Sequence, residues 1–116
     1  MPSTRLIGKK AEDVAYSFLV RNGLTLVTRN YRCRYGEIDL IMQDSDNLVF
    51  IEVRYRKSSL FGSAAESVSH NKQGKLVFTA NHYLQNHPSP LAMRFDVVAI
   101  SADQEIEWIT NAFMDN

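Results

Sequence analysis

The spacing of apolar residues predicts two helices. In the first, apolar side chains return every three or four positions after Ile7, and Gly23 is placed to end the helix. The predicted inner face of this helix is Ile7, Ala11, Val14, Ala15, Phe18 and Leu19. The second helix is predicted from near Ser69 to His87, before two prolines, with an inner face of Leu76, Ala80, Tyr83 and Leu84.

Five strand-like runs account for most of the remaining apolar sequence. They are 24–29, 36–41, 48–54, 95–100 and 105–109. The predicted order is therefore helix, three strands, helix, two strands. A mixed β-sheet with a helix on each side buries all of these apolar faces, so we expect an α/β fold and, at 116 residues, a single domain over 1–116.

The second and third strand-like runs carry carboxylates among apolar residues. Turn-forming residues at 44–47 favour a hairpin with a four-residue loop that pairs Gln43 with Leu48, and this register places Asp39 opposite Glu52. Like charges that face each other across two strands are destabilising unless a positive charge lies between them. The hairpin therefore predicts a counter-charge, and a divalent cation is the first candidate.

Side-chain alternation adds two charged residues to the same face. Glu37 is expected on the face of Asp39, and Arg54 on the face of Glu52. Mg²⁺ needs only one or two carboxylates and takes other ligands from water and substrate phosphate, so this face indicates a magnesium site that acts on a phosphodiester. An edge hairpin in which Glu52 and Arg54 make ordinary cross-strand ion pairs explains the same residues.

The chain has no net charge, but its charges are unevenly placed. Residues 1–57 hold ten basic and seven acidic residues, whereas residues 58–116 hold three and six. The basic residues around the hairpin are interleaved with Tyr31, Tyr35 and Tyr55; they are Arg29, Arg32, Arg34, Arg54, Arg56 and Lys57. Such a mixture is typical of surfaces that bind phosphates and bases, although a solvated basic face is the simpler interpretation.

Other residue types indicate neither structural zinc nor a membrane span. Cys33 is the only cysteine, and no two of the three histidines stand at i, i+4 spacing. No stretch approaches the roughly 20 apolar residues that span a bilayer, and the first residues contain no apolar leader segment. We therefore expect a cytoplasmic protein with no membrane partner.

One position of the first helix extends the candidate site. Glu12 lies at the edge of the apolar stripe of the first helix, where it can reach the acidic face, although a carboxylate there is also explained by the helix dipole. Lys72 and Gln73 lie in the first turns of the second helix. The basic loop 57–63, which leaves the hairpin, is typical of a substrate-contacting element.

The order of these motifs resembles the YraN-like family of predicted endonucleases over nearly the whole chain. The matching segments are Gly8 to Glu12, Asn30 to Arg34, Gly36 to Ile41, Phe50 to Arg54, Lys72-Gln73 and Arg94 to Val97. The resemblance implies a restriction-endonuclease-like fold of the PD-(D/E)xK superfamily, related to archaeal Holliday-junction resolvases. It also implies Mg²⁺ or Mn²⁺ as cofactor and DNA, including branched or otherwise structured DNA, as substrate.

The resemblance further implies the roles of individual residues. Asp39 and Glu52 match the two acids of the motif, which with the backbone carbonyl of Val53 would hold the metal, and Glu12 matches a further metal-site glutamate. Arg54 stands where the motif has a lysine. Because a guanidinium stays protonated, Arg54 can stabilise charge on a phosphate but cannot act as a general base.

Either the metal alone, or Lys72 reaching in from the second helix, would then take the place of the lysine that the motif uses. The expected catalytic residues are thus Asp39, Glu52, Arg54 and Lys72, and the expected nucleic-acid contacts are Arg32, Arg34, Tyr35, Arg56, Lys57 and Gln73. A nucleic-acid-binding module with a degenerate nuclease site is the alternative function, because Arg54 replaces the motif lysine. A homodimer would match a two-fold substrate.

Overall fold

In the computed structural model, which describes residues 4–57 and 68–113, the secondary-structure elements follow the predicted order. The helices are α1 (Thr4–Arg21) and α2 (His70–Asn86). The strands are β1 (Thr25–Cys33), β2 (Gly36–Asp44), β3 (Asn47–Arg56), β4 (Ala92–Ser101) and β5 (Ile106–Phe113). No helix in these described ranges has the length and apolar character needed to cross a bilayer.

The five strands form one mixed sheet, as the sequence predicts. Their spatial order is β1-β2-β3-β4-β5. The β3 and β4 strands are parallel, and the other neighbouring pairs are antiparallel. Because parallel neighbours need a crossover connection, α2 lies between β3 and β4 in the chain and packs on one face of the sheet.

Each helix covers one apolar core. The core beneath α1 contains Ala11, Ala15, Leu19, Leu40, Met42, Val49 and Ile51, whereas the core beneath α2 contains Ile38, Ile41, Phe50, Leu76, Ala80, Tyr83 and Val97. The predicted inner faces are largely confirmed. The prediction that Val14 lies on the inner face of α1 is wrong, because its side chain is 42% exposed. Thr79 is a buried polar residue that apolar spacing does not reveal; its hydroxyl donates to the Lys75 carbonyl.

The boundaries of the strands differ from the prediction in several places; β4 begins at Ala92 and β5 ends at Phe113, both beyond the predicted runs. The Gln43↔Leu48 register is confirmed, but Asp44 pairs with Asn47, so the predicted four-residue loop is wrong and only Ser45 and Asp46 form the turn. The β1 strand continues to Cys33, beyond the predicted end at Arg29. Most of the predicted contact loop lies outside the described residues; Lys57, at its start, is exposed.

Capping residues mark the end of α1 and the start of α2. Gly23, with a φ of 96°, adopts the left-handed conformation that follows the end of α1. Ser69 caps α2, and its Oγ accepts the Lys72 N–H at 3.1 Å. This cap places Lys72 in the first turn of α2, close to the end of β3.

A fully buried carboxylate, Asp96, joins β4 to β5. Arg94 donates to both of its oxygens at 2.9 Å, and the Trp108 indole and the Asn111 N–H also donate at 2.9 Å. Arg94 additionally reaches Asp44 at the end of β2, at 3.2 Å. Because Asp96 has four donated hydrogen bonds, its charge is compensated inside the core.

Candidate functional site

The β2 strand changes faces at Asp39. Ile38 packs beneath α2 and Leu40 beneath α1, although residues two apart in a regular strand share a face. The β2–β3 ladder ends at Leu40↔Ile51, and an oxygen of Asp39 accepts the Val53 N–H at 2.8 Å. The prediction of regular alternation through Asp39 is therefore wrong. Its carboxylate takes the place of a backbone acceptor where the ladder stops.

The facing residue of β1, Asn30, breaks the pattern in the same way. Arg29 lies over a ring of α1, whereas Tyr31 packs against the core beneath α2. Asn30 between them has a φ of 52°, a left-handed conformation that asparagine tolerates better than most residues. Its side-chain nitrogen donates to Glu12 at 2.9 Å and to Glu37 at 3.0 Å. Asn30 thus holds two carboxylates together.

Three carboxylates converge beside this break. Glu12, Glu37 and Asp39 each offer an oxygen, and the three oxygens lie within 4.8 Å of one another. Glu12 therefore reaches the acidic face, as its place on α1 predicts. Glu37, which the sequence places on this face but not among the metal ligands, joins the group, whereas Glu52 does not belong to it within the described chain.

Basic residues border the acidic group without neutralising all of it. Arg32 contacts Glu37 with Nε at 2.7 Å, and Arg29 lies 2.8 Å from Asp13 and 4.0 Å from Glu12. A surface pocket of about 510 Å³ opens over this region. Because Glu12 and Glu37 both line the pocket, these two members of the acidic group are accessible from solvent between α1 and β1.

Glu52 and Lys72 form the other side of the site. Glu52 is only 5% exposed, and its Oε1 lies 3.7 Å from the Lys72 Nζ. Arg54 follows two residues later on β3 and is half-buried. Its buried Nε has no hydrogen-bond partner in the described parts of the chain. Two cationic groups, one from α2 and one from β3, therefore flank the buried glutamate.

The acidic side chains perturb one another. Burial, followed by the charge of Glu52, raises the pKa of Asp39 from 3.8 to about 8, and Glu12 and Glu37 add to this effect. Burial also raises the pKa of Glu52, against the opposing charges of Lys72 and Arg54. Ionising Asp39 and Glu52 therefore costs free energy in the absence of a bound cation, and a divalent ion would offset that cost.

The six residues predicted to contact nucleic acid have different surroundings. Four of them are exposed: Arg32, Arg34, Tyr35 and Lys57. The Arg56 side chain is only 13% exposed and lies 3.1 Å from Glu107 on β5. The Gln73 amide donates to the Val68 carbonyl at 3.0 Å. Contact of all six with nucleic acid stays a prediction, and the exposed residues are the better placed for it.

Sequence reasoning missed Asn30 as a site residue. The available signal is an asparagine inside a β-branched and aromatic run, since asparagine is depleted in strands. That signal becomes specific only when the register places Asn30 opposite Asp39, which requires the β1–β2 pairing.

The fold and the site together define a class of protein: an α/β domain with a carboxylate cluster where a central hairpin separates. The chain belongs to Uncharacterised protein family UPF0102, whose family model matches residues 11–100. That range contains every residue of the acidic cluster and Lys72.

Full-length relatives support the family assignment. A UPF0102 protein of Nitrosomonas eutropha is 53% identical over 113 residues, with 97% of each chain covered. A UPF0102 protein of Saccharophagus degradans is 56% identical over 111 residues, which cover 94% of this chain and 93% of the relative. One of Aeromonas hydrophila is 50% identical over 115 residues, which cover 97% and 88%.

Proposed function

We propose that this protein is a metal-dependent endonuclease with a restriction-endonuclease-like fold, which hydrolyses phosphodiesters in DNA, including branched or otherwise structured DNA. The observation that carries the proposal is the convergence of Glu12, Glu37 and Asp39 next to the buried Glu52 and Lys72 pair. The pKa values of Asp39 and Glu52 are raised, and carboxyl groups perturbed by burial and by neighbouring charges are typical of functional sites.

The donor set fits Mg²⁺ or Mn²⁺, because both ions prefer oxygen ligands. Asp39, Glu12 and Glu37 would hold the ion from one side; Glu52, which lies outside that group, and the Val53 carbonyl are the further ligands that the resemblance implies. When bound, such an ion polarises a phosphate oxygen and lowers the pKa of a water molecule.

The proposal assigns the remaining chemistry to the two cationic side chains. Lys72 can orient the attacking water, because its ammonium group lies 3.7 Å from Glu52 and carries three hydrogen-bond donors. Arg54 would stabilise the negative charge that develops on the phosphate. Lys72 thereby occupies the role that the motif gives to a lysine on β3.

Lys72→Met is expected to lower the cleavage rate about 10²-fold, because it removes the only amine near Glu52 in the described chain. Lys75→Met, on an exposed position of the same helix, is the matched control and should cleave normally. Adding Arg54→Lys to Lys72→Met should restore part of the rate. Initial rates of DNA nicking measure all of these effects, and equal rates for Lys72→Met and Lys75→Met would contradict the assignment.

The function itself is tested with purified protein and three DNAs: supercoiled, single-stranded and four-way-junction. Products that form with Mg²⁺ or Mn²⁺, and not with a chelator, support the nuclease. Binding without a metal-dependent product on any of the three would favour the alternative, a nucleic-acid-binding module, for which Arg54 in the lysine position is the supporting observation.

A further inference from the structure

A series of aromatic rings connects the core beneath α2 to the protein surface on the α2 side of the sheet. Tyr83 in the core packs edge-on against Tyr31, with ring centroids 5.2 Å apart. The Tyr31 hydroxyl is hydrogen-bonded to His82 Nδ1 at 2.6 Å, and His82 meets the ring of Tyr35. Tyr35 in turn stacks on Phe78, with centroids 5.5 Å apart and 25° between the planes. The surface rings are therefore held in place from the core.

Phe78 is the outermost ring of this series. At 61% exposure it is the most exposed large hydrophobic residue in the described chain. A positive charge lies next to its neighbour Tyr35. The Arg34 guanidinium is 5.1 Å from the Tyr35 ring and donates to the Tyr35 hydroxyl at 3.1 Å. An aromatic ring held in water beside a guanidinium offers both stacking and charge to a ligand.

These residues line a surface groove of about 720 Å³. Two side-chain amides, Asn81 and Gln85, supply hydrogen-bond donors and acceptors, and no carboxylate is among the described lining residues. Flat rings, amides and a guanidinium, without acidic groups, match an aromatic base attached to a phosphate. We propose that this groove binds an unpaired nucleobase of the DNA substrate.

The groove and the acidic cluster are close along the chain. Tyr35 is two residues from Glu37, which corresponds to about 7 Å of extended chain. Gly36 between them packs closely on α2, because a Cβ there would lie 3.5 Å from the Thr79 hydroxyl. The groove is lined mainly by α2 and the acidic pocket mainly by α1 and β1, so the two sites open on opposite faces of the sheet.

The inference rests on the proposed function and narrows its substrate. A base inside a continuous duplex has both faces covered by its neighbours, so it cannot stack on Phe78 unless it leaves the helix. The preferred substrate is therefore DNA with unpaired nucleotides at a bulge, flap or branch point.

Binding in a metal chelator tests this inference without any cleavage. The probes are a duplex with 2-aminopurine in a bulge and the matched, fully paired duplex. We expect the wild-type protein to bind the bulged DNA more tightly than the paired duplex. Binding should also change the fluorescence of the 2-aminopurine in the bulge. Phe78→Ala should weaken binding of the bulged DNA about tenfold and leave the paired duplex unaffected, whereas Phe78→Trp should retain the preference. Val20→Ala, also exposed but on α1, is the control.

Three results would overturn the inference: no binding of either DNA, unchanged affinity of Phe78→Ala for the bulged DNA, or equal losses for both DNAs. Because Phe78 is exposed, its variants should fold normally, and circular dichroism checks this. The outcome is separable from the proposed function. Phe78-dependent binding without metal-dependent cleavage would contradict the nuclease and retain the base site. Metal-dependent cleavage, together with binding of bulged DNA that does not depend on Phe78, would retain the nuclease and contradict the base site.

Discussion

Asp39→Asn and Glu52→Gln are each expected to lower metal-dependent DNA cleavage by about 10²-fold or more. Both substitutions keep the size of the side chain and remove the negative charge that would hold the cation. Asp39→Asn also keeps an oxygen that can accept the Val53 N–H, so the backbone around the site should remain in place. The measurement is the initial rate of product formation with Mn²⁺ on the best DNA substrate.

Asp46→Asn provides the matched control for these variants, because Asp46 is an exposed acid at the tip of the same hairpin. It should cleave at the wild-type rate, and all three variants should still bind DNA in a chelator. Cleavage by Asp39→Asn at the wild-type rate, or an equal loss in Asp46→Asn, would show that the acidic cluster is not the reacting site.

Asp96→Asn is expected to cause the largest loss of stability, about 3 kcal/mol or more. The substitution removes the charge that Arg94 faces inside the core, and it weakens the hydrogen bonds from Trp108 and Asn111. An arginine left without its buried partner carries most of this penalty. Urea unfolding at neutral pH measures the change in the free energy of unfolding.

Asp44→Asn tests whether burial is the reason for that loss. Asp44 also contacts Arg94, but its side chain is 33% exposed. A partly solvated ion pair contributes roughly 1 kcal/mol or less, so Asp44→Asn should unfold near the wild-type urea concentration. Equal losses of unfolding free energy in the two variants would show that burial of Asp96 is not the reason for the loss.

Local sequence information was sufficient for the elements and for the hairpin register. The turn formers at 44–47 select the Gln43↔Leu48 pairing, and the helical spacing of Ala11, Ala15 and Leu19 identifies the buried side of α1. These features depend on neighbours within a few residues, which explains why the pattern alone predicts them.

The break at Asp39 could not be predicted in this way. It arises because Ile38 and Leu40 are drawn into different cores, one under each helix, while Asn30 on the adjacent strand takes a left-handed conformation. Such a conflict is decided by packing between elements that are distant in the sequence. The contribution of Glu37 to the cluster and the 3.7 Å approach of Lys72 to Glu52 depend on the same packing.

The raised pKa of Asp39 connects the proposed site with stability. A carboxyl group whose pKa is higher in the folded protein stabilises the fold fully below its ordinary pKa of 3.8, and this contribution is lost as the pH rises through about 8. Metal-free protein should therefore lose stability over this range. A cation bound by Asp39 would reverse the loss, because it favours the ionised form.

Urea unfolding of wild type and Asp39→Asn, near pH 4 and near pH 9, with and without Mg²⁺ or Mn²⁺, tests the central claim most directly. Without metal, Asp39→Asn should be more stable than wild type near pH 9, by on the order of 2 kcal/mol after allowing for solvent screening, and similar near pH 4. Added metal should stabilise wild type near pH 9 and leave Asp39→Asn unchanged. Equal stabilities of the two proteins near pH 9, together with no response of wild type to metal, would contradict a cation site at Asp39.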